Sequence, residues 1–429
     1  MDTPRSPKLA AGASGLARTA AERLLVAMLR GDEPRASQPR APAPGMLRAG
    51  VNDWDANQSV REEPDGSLFG EAIALARAHG VAPLLHEQLQ RGGLAWVPEE
   101  ARRGLRALRL AELAREVKRE KLLQAALRAL GGARAEPVTV LLLKGAASAR
   151  TLYPSGELRP RGDLDLLVAP ADRARSLEAL ARAGFVQHAK TRGTREDEAG
   201  WHERTLIHPE HGEAGAPEQL DLHFALAQPE RHRLDARRLF AESAPLPHQP
   251  DAAAEVTPGL ALRVLRPEAA ALVCAWSIAL HELAVPLIGL ADLARLLARA
   301  EPPRLAGLAG EVHLRRALYV SLRLLARLGP PAFPSKIFAA ALSRVAPCAP
   351  FALAGAPVEP ARLALLLEAL PLSTPSRRAL DAAAGGYDLA RAPLSRVRQL
   401  WRKALFIDRP QDAARFALRH ARSRWTRGS

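Results

Sequence analysis

The sequence predicts an α+β protein, with a small sheet-bearing core set between an N-terminal and a C-terminal helical region. Three observations predict it. Leu, Ala and Arg dominate while aromatics make up 4% of the chain, a mix that favours helix over strand. Apolar residues recur every three or four positions on both sides of the middle of the chain. Between about residues 137 and 225 that spacing gives way to short apolar or alternating runs typical of strands.

The elements follow in order. Residues 1–13 read as disordered, 14–30 as helical, and 31–50, rich in Pro, Ala and Arg, as a linker. An amphipathic segment from 68 to about 91 contains Gly80 and Pro83, which predict two helices with a break between them. Residues 98–130 predict one long helix, with Pro98 in its first turn and Gly131-Gly132 at its end. The character changes at Pro137. Val138 to Leu143 is an unbroken apolar run and predicts a buried strand; Gly145 to Leu152 follows as a short helix, and Asp163 to Val168 as a second strand. Pro170 opens a helix that ends near Gly184, with candidate strands at 185–190, 201–208 and 219–224. From about residue 255 the chain reads as helical again, with Pro-rich breaks at 330–334 and 346–360. The expected layout is a partly disordered segment and linker (1–50), a helical region (51–132), the core (133–230) and a C-terminal helical region with a basic tail (255–429).

Bulk composition bounds the function. Apolar residues make up 48% and charged residues 25%, enough for a sizeable core. The net charge of +15 suits a nucleotide, nucleic-acid or anionic partner, but an Arg-rich composition spread over solvated faces produces the same charge. Cys274 and Cys348 show no metal-ligand spacing, and a reducing compartment is expected. There is no apolar run of the roughly 18 residues that a transmembrane segment needs, and no signal peptide is apparent, so the expectation is a cytoplasmic protein.

The chemistry concentrates at Asp163-Leu-Asp165. Alternate residues of a strand share a face, so these two carboxylates project together while Leu164 and Leu166 point into the core. Two acids so placed repel unless a cation lies between them, and Mg²⁺, a hard cation, takes one or two carboxylates plus substrate phosphates. Upstream, Lys144-Gly145 ends a strand and opens a helix, whose free amides favour anions; Gly145 permits close approach. Arg159 and Arg161 stand just before the acids and suit phosphate neutralisation. Asp221, within Leu-Asp-Leu-His-Phe, supplies a third carboxylate on another strand, and His223 two residues later either contacts a nucleotide or hydrogen-bonds within the core.

Lys144-Gly145-Ala146-Ala, Leu152-Tyr-Pro, Arg159-Pro-Arg-Gly-Asp-Leu-Asp-Leu-Leu-Val and Leu220-Asp-Leu-His resemble the uncharacterised bacterial nucleotidyltransferase family of the polymerase-β-like superfamily. The likeness is closest over 138–225 and fainter over most of 68–410. It implies a small mixed β-sheet with flanking helices. It also implies two-metal transfer of a nucleoside monophosphate from an NTP to a hydroxyl acceptor: a protein, a small molecule or an RNA end. By resemblance Asp163 and Asp165 hold Mg²⁺ (or Mn²⁺), Asp221 is the third metal carboxylate near the attacking hydroxyl, Gly145 marks the phosphate-side turn, and Arg159 matches the arginine four residues before the first aspartate; Lys144, Ala146, Arg161 and His223 join them as candidate nucleotide-side residues. The wider superfamily has Ser where Ala146 stands, so that hydroxyl contact to phosphate is missing. The other reading is a catalytically silent interaction module, such as a toxin–antitoxin or polysaccharide-system partner.

Three further features stand out in the sequence. His202, His208, His211 and His223 cluster in sequence but match no standard zinc spacing. His281 and Asp292 read as ties between C-terminal helices. Residues 387–429 carry 11 Lys/Arg against 3 Asp, interleaved with Trp401, Phe406, Phe416 and Trp425; the segment suits nucleic acid or an anionic surface, or else a helical pair packed on the core.

Overall fold

The computed structural model describes residues 66–91, 96–131, 138–191, 201–209, 218–227, 229–247, 261–281, 283, 285–328, 360–385 and 404–416, together with 21, 24 and 25. The expectations for 1–13, the linker at 31–50, the Pro-rich breaks, Trp401, Trp425, His211 and Cys348 lie outside the described residues.

Helices α1 (Gly66–Ala78) and α2 (Ala82–Gln90) form the expected pair. Gly80 sits between them at φ +68°, and a Cβ there would come within 3.1 Å of Ile288, so only glycine fits both the backbone and the close approach. Both helices pack on the 33-residue α3 (Glu99–Gly131). Strand β1 (Thr139–Leu142), helix α4 (Lys144–Thr151), strand β2 (Asp163–Val168) and helix α5 (Arg173–Arg182) follow, close to their expected places. Strands β3 (Val186–Gln187), β4 (Glu203–Ile207) and β5 (Gln219–His223) complete the part of the sheet read from sequence, although β3 is only two residues long.

The sheet then continues past residue 230. After α6 (Ala236–Ala241) come β6 (Ser243–Pro245) and β7 (Ala261–Leu265), and the seven strands take the order β3-β4-β5-β2-β1-β7-β6. Residues 261–265 correct the expectation of helix from about 255. Their Ala-Leu-Arg-Val-Leu composition is neutral between the two states, and parallel pairing to β1 decides it. The sheet is mixed: β2 runs parallel to β5 and antiparallel to β1.

Alternation along the central strands separates two cores. Val140, Leu142, Leu164, Leu166, Leu220 and Leu222 face one way, onto the C-terminal half of α3 and Leu180 of α5. Leu141, Leu143 and Leu167 face the other way, into a larger helical core. That core is built by α7 (Pro267–Leu280), α8 (Leu287–Arg299), α9 (Pro302–Glu311), α10 (Arg315–Leu328), α11 (Pro360–Ala369) and α12 (Thr374–Gly385). Phe406 and Phe416 are buried, as the helix-packing alternative for the C-terminal region expected. No single helix among the described residues is long and apolar enough to cross a membrane.

Candidate active site

Residues 163, 165 and 167 share a strand face, and Leu167 belongs to the helical core. Parity therefore turns Asp163 and Asp165 toward the C-terminal helices. The parallel register pairs Asp165 with Asp221, which brings the third carboxylate onto the same face from β5. Ligand oxygens of Asp163, Asp165 and Asp221 all lie within 4.8 Å of one another. Asp165 is fully buried, the other two partly so.

Three acids this close are short of positive charge. Lys144 Nζ donates to Asp165 Oδ1 at 2.6 Å, and His223 Nε2 lies 2.8 Å from the same oxygen. Burial alone would raise the Asp165 pKa, but Lys144 and His223 outweigh it and hold the carboxyl well below the usual range. The charge of Asp165 is the main cause of a raised pKa at Asp163, and burial adds to it. Burial pushes Asp221 up to about 6, the charges of Asp165 and Asp163 add to the rise, and a hydrogen bond from Thr205 opposes it. Asp165 Oδ2 and Asp221 Oδ1 are buried and have no hydrogen-bond partner. A carboxylate oxygen left this way is costly unless something positive meets it, so an all-oxygen donor set with two orphaned atoms fits a hard divalent cation.

The phosphate side is less simple than the motif suggested. Helix α4 starts at Lys144, which is held at φ +45°, an uncommon backbone for a residue with a side chain. The amides of Lys144, Gly145 and Ala146 have no acceptor inside the helix and face its start. Ala146 is buried in the sheet core and offers the site its backbone alone. Gly145 makes room for protein: a Cβ there would sit 2.7 Å from Arg159 Nη1.

Both arginines are held by acids. Arg159 Nε and Nη2 donate to Asp292 Oδ2 at 3.0 and 2.6 Å, Nη1 donates to Pro160 O, and the Tyr153 hydroxyl donates to Asp292 Oδ1. Arg161 Nη2 donates to Glu116 Oε1 at 3.0 Å. On the next turn of α3, Arg119 joins Glu112 at 2.5 Å and Glu218 at 3.2 Å, immediately before β5. One helix thus holds the loop leading into Asp163 and the entrance to the strand of Asp221, while Asp292 fastens the same loop to α8.

The structure thus brings Lys144, Asp163, Asp165, Asp221 and His223 into one cluster, with Gly145, Arg159 and Arg161 beside it. A cleft of about 510 Å³ opens at Asp163 and Asp165 and runs between Lys144 and Arg159 to Ser277 and His281 of the C-terminal region. His223 gives Nε2 to Asp165, while its Nδ1 lies 3.4 Å from Glu203 without a hydrogen bond. The histidines gather no zinc set: among the described residues, the Asp triad is the only cluster of three or more potential metal ligands. His208 instead bonds the Ala183 carbonyl and packs edge-on against Phe185. Sequence reasoning missed Glu203, Glu116, Glu112 and Arg119. It placed Asp292 among helix ties without its partner Arg159. Glu203 left no alternating signal either, since its strand reads Glu-Arg-Thr-Leu-Ile.

Two parallel strands thus present three clustered carboxylates beside a helix that starts at Lys144. The chain belongs to the uncharacterised nucleotidyltransferase family, whose model matches residues 67–330. No curated protein and no solved structure matches it.

Proposed function

We propose that the protein moves a nucleoside monophosphate from an NTP to a hydroxyl acceptor, with Asp163, Asp165 and Asp221 holding Mg²⁺ or Mn²⁺ in a polymerase-β-like arrangement. The observation that carries this reading is the triad, with oxygens within 4.8 Å and two of them orphaned, in a chain of this family. A cation bound there supplies charge neutralisation at the triphosphate and at the attacking oxygen.

The residues of the chain do the rest. The start of α4 and the ammonium of Lys144 receive phosphate oxygens, and Lys144 leaves Asp165 to do so. Arg159, kept in place by Asp292, lends positive charge to the cleft wall without needing to move. Asp221, the third carboxylate, stands beside the acceptor hydroxyl and accepts its proton. The new O–P bond forms at the α-phosphorus as the bond to pyrophosphate breaks, and positioning accounts for most of the rate.

Incubation of the protein with each labelled NTP, Mg²⁺ or Mn²⁺ and a cell extract tests the proposal. Label should move to an acceptor with wild type and not with Asp163→Asn. Equal labelling by the two proteins would overturn it.

A further inference from the structure

The long helix α3 uses one side for the site and leaves another bare. Leu110, Leu113 and Val117 are 55%, 44% and 50% exposed, three of the five large apolar side chains that are exposed among the described residues. At about 100° per residue these three and Ala114, which is also exposed, fall within one sector about 100° wide, so they form a stripe. Scattered surface leucines need no explanation, whereas a contiguous stripe on one helix marks a contact surface.

Charge says what the stripe fits. Arg103 and Arg106 flank the stripe at one end of the same sector and Lys121 at the other, all exposed, with Glu99 at the helix start as the one acid in that sector. Among the described residues none of these three cations is ion-paired. A second copy of the chain would set these cations against each other in either orientation, which disfavours a homodimer through this face. A lipid surface is a poor match because the stripe carries three aliphatic side chains and no aromatic. An amphipathic helix with an apolar face and flanking Asp or Glu matches both the stripe and its basic ends, and helix-on-helix docking of this kind reads anchors at spacings of three, four and seven. The chain's net charge of +15 would steer such an acidic partner inward.

We infer that the Leu110–Leu113–Val117 face of α3 is a docking surface for an acidic amphipathic helix of a partner protein. Arg115, on the neighbouring side of α3, lines the cleft, so a docked partner lies next to the cleft mouth. That the partner also presents the acceptor hydroxyl rests on the transferase reading; the docking does not, and it needs no nucleotide.

The test measures anisotropy of two labelled helical peptides, alike in a Leu face but flanked by Glu in one and by Lys in the other, against the full chain without NTP. The Glu peptide should bind at least tenfold more tightly than the Lys peptide. Leu110→Ser with Val117→Ser should remove that binding with the circular-dichroism spectrum and Tm unchanged. Arg103→Glu, Arg106→Glu and Lys121→Glu together should reverse the preference. Asp163→Asn should bind as wild type does, so failure of the transferase reading leaves this result standing. Absence of Glu-peptide binding, equal binding of both peptides, or stripe-dependent binding only to phosphatidylglycerol vesicles would overturn the inference.

Discussion

Arg159 and Asp292 answer each other in a closed ion pair, whereas at Asp163, Asp165 and Asp221 three acids, with Glu203 close by, share one lysine and one histidine. The two groups are neighbours, since the loop that carries Arg159 leads directly into the strand of Asp163 and Asp165. In the first, a guanidinium and a phenol satisfy both oxygens of one carboxylate. In the second, two buried oxygens have no partner at all. Leaving a buried charge uncompensated costs several kcal/mol. The incomplete group is the one with room for a cation, which is what the proposed metal site requires.

The largest expected effect breaks the incomplete network. Asp163→Asn or Asp165→Asn should lower label transfer at least about 1,000-fold, equivalent to about 4 kcal/mol of barrier. Asp163→Asn should leave the fold intact, because it removes repulsion among acids, whereas Asp165→Asn also takes the ion-pair partner from Lys144 and His223 and should lower the Tm as well. Wild-type transfer by either variant on a proven substrate would remove the site from consideration.

Breaking the complete network should act on stability instead. Asp292→Ala strands Arg159 in a buried position, and chemical denaturation should show a loss of about 3–5 kcal/mol. A loss under about 1 kcal/mol would mean that solvent reaches Arg159 and that the latch is not structural.

Asp221→Asn sharpens the contrast by giving the opposite sign. The folded pKa of Asp221 is raised to about 6 from an unfolded value of 3.8, so the metal-free fold is most stable, from this group, below the unfolded value. That contribution is lost as pH rises from about 4 through about 6, and stays lost above. Removing the charge should therefore stabilise the metal-free protein at pH 8 by roughly 1–2 kcal/mol, after discounting for solvent access, and do little near pH 4. Destabilisation at pH 8 would show that Thr205 and its neighbours satisfy the carboxylate. By the same linkage Mg²⁺ should raise the Tm of wild type more at pH 8 than at pH 5, since it binds the ionised form; a pH-independent shift would point to binding elsewhere.

The smallest effect is expected at Glu203→Gln. Loss of this acid loosens His223, which orients Asp165, and should reduce transfer by roughly tenfold with little change in Tm. An effect as large as that of Asp165→Asn would make Glu203 a member of the site proper.

The sequence was most informative where structure is local. The break at Gly80, the length of α3, and the strands β1, β2, β4 and β5 are written in periodicity and end signals that neighbouring residues enforce. Strands β6 and β7 were not legible, because Ser243–Pro245 and Ala261–Leu265 become strands by pairing with each other and with β1. The site divides in the same way. Asp163 and Asp165 were legible because two residues apart on a strand means one face. Glu116 and Asp292 were not, being 45 and 133 residues from the arginines they hold.

The sequence by itself determined that two aspartates share a strand face after a Lys-Gly turn, and that Asp221 lies on another half-buried strand. It did so because strand alternation is a property of adjacent residues. Only the tertiary structure decided that β2 and β5 run parallel in register, that Lys144 and His223 both lean on Asp165, and that Arg159 and Arg161 are spoken for by Asp292 and Glu116. Those pairings join segments that meet only when the chain closes over tens of residues, and what a charge meets, rather than where it sits in the chain, sets whether it braces the fold or waits for a ligand.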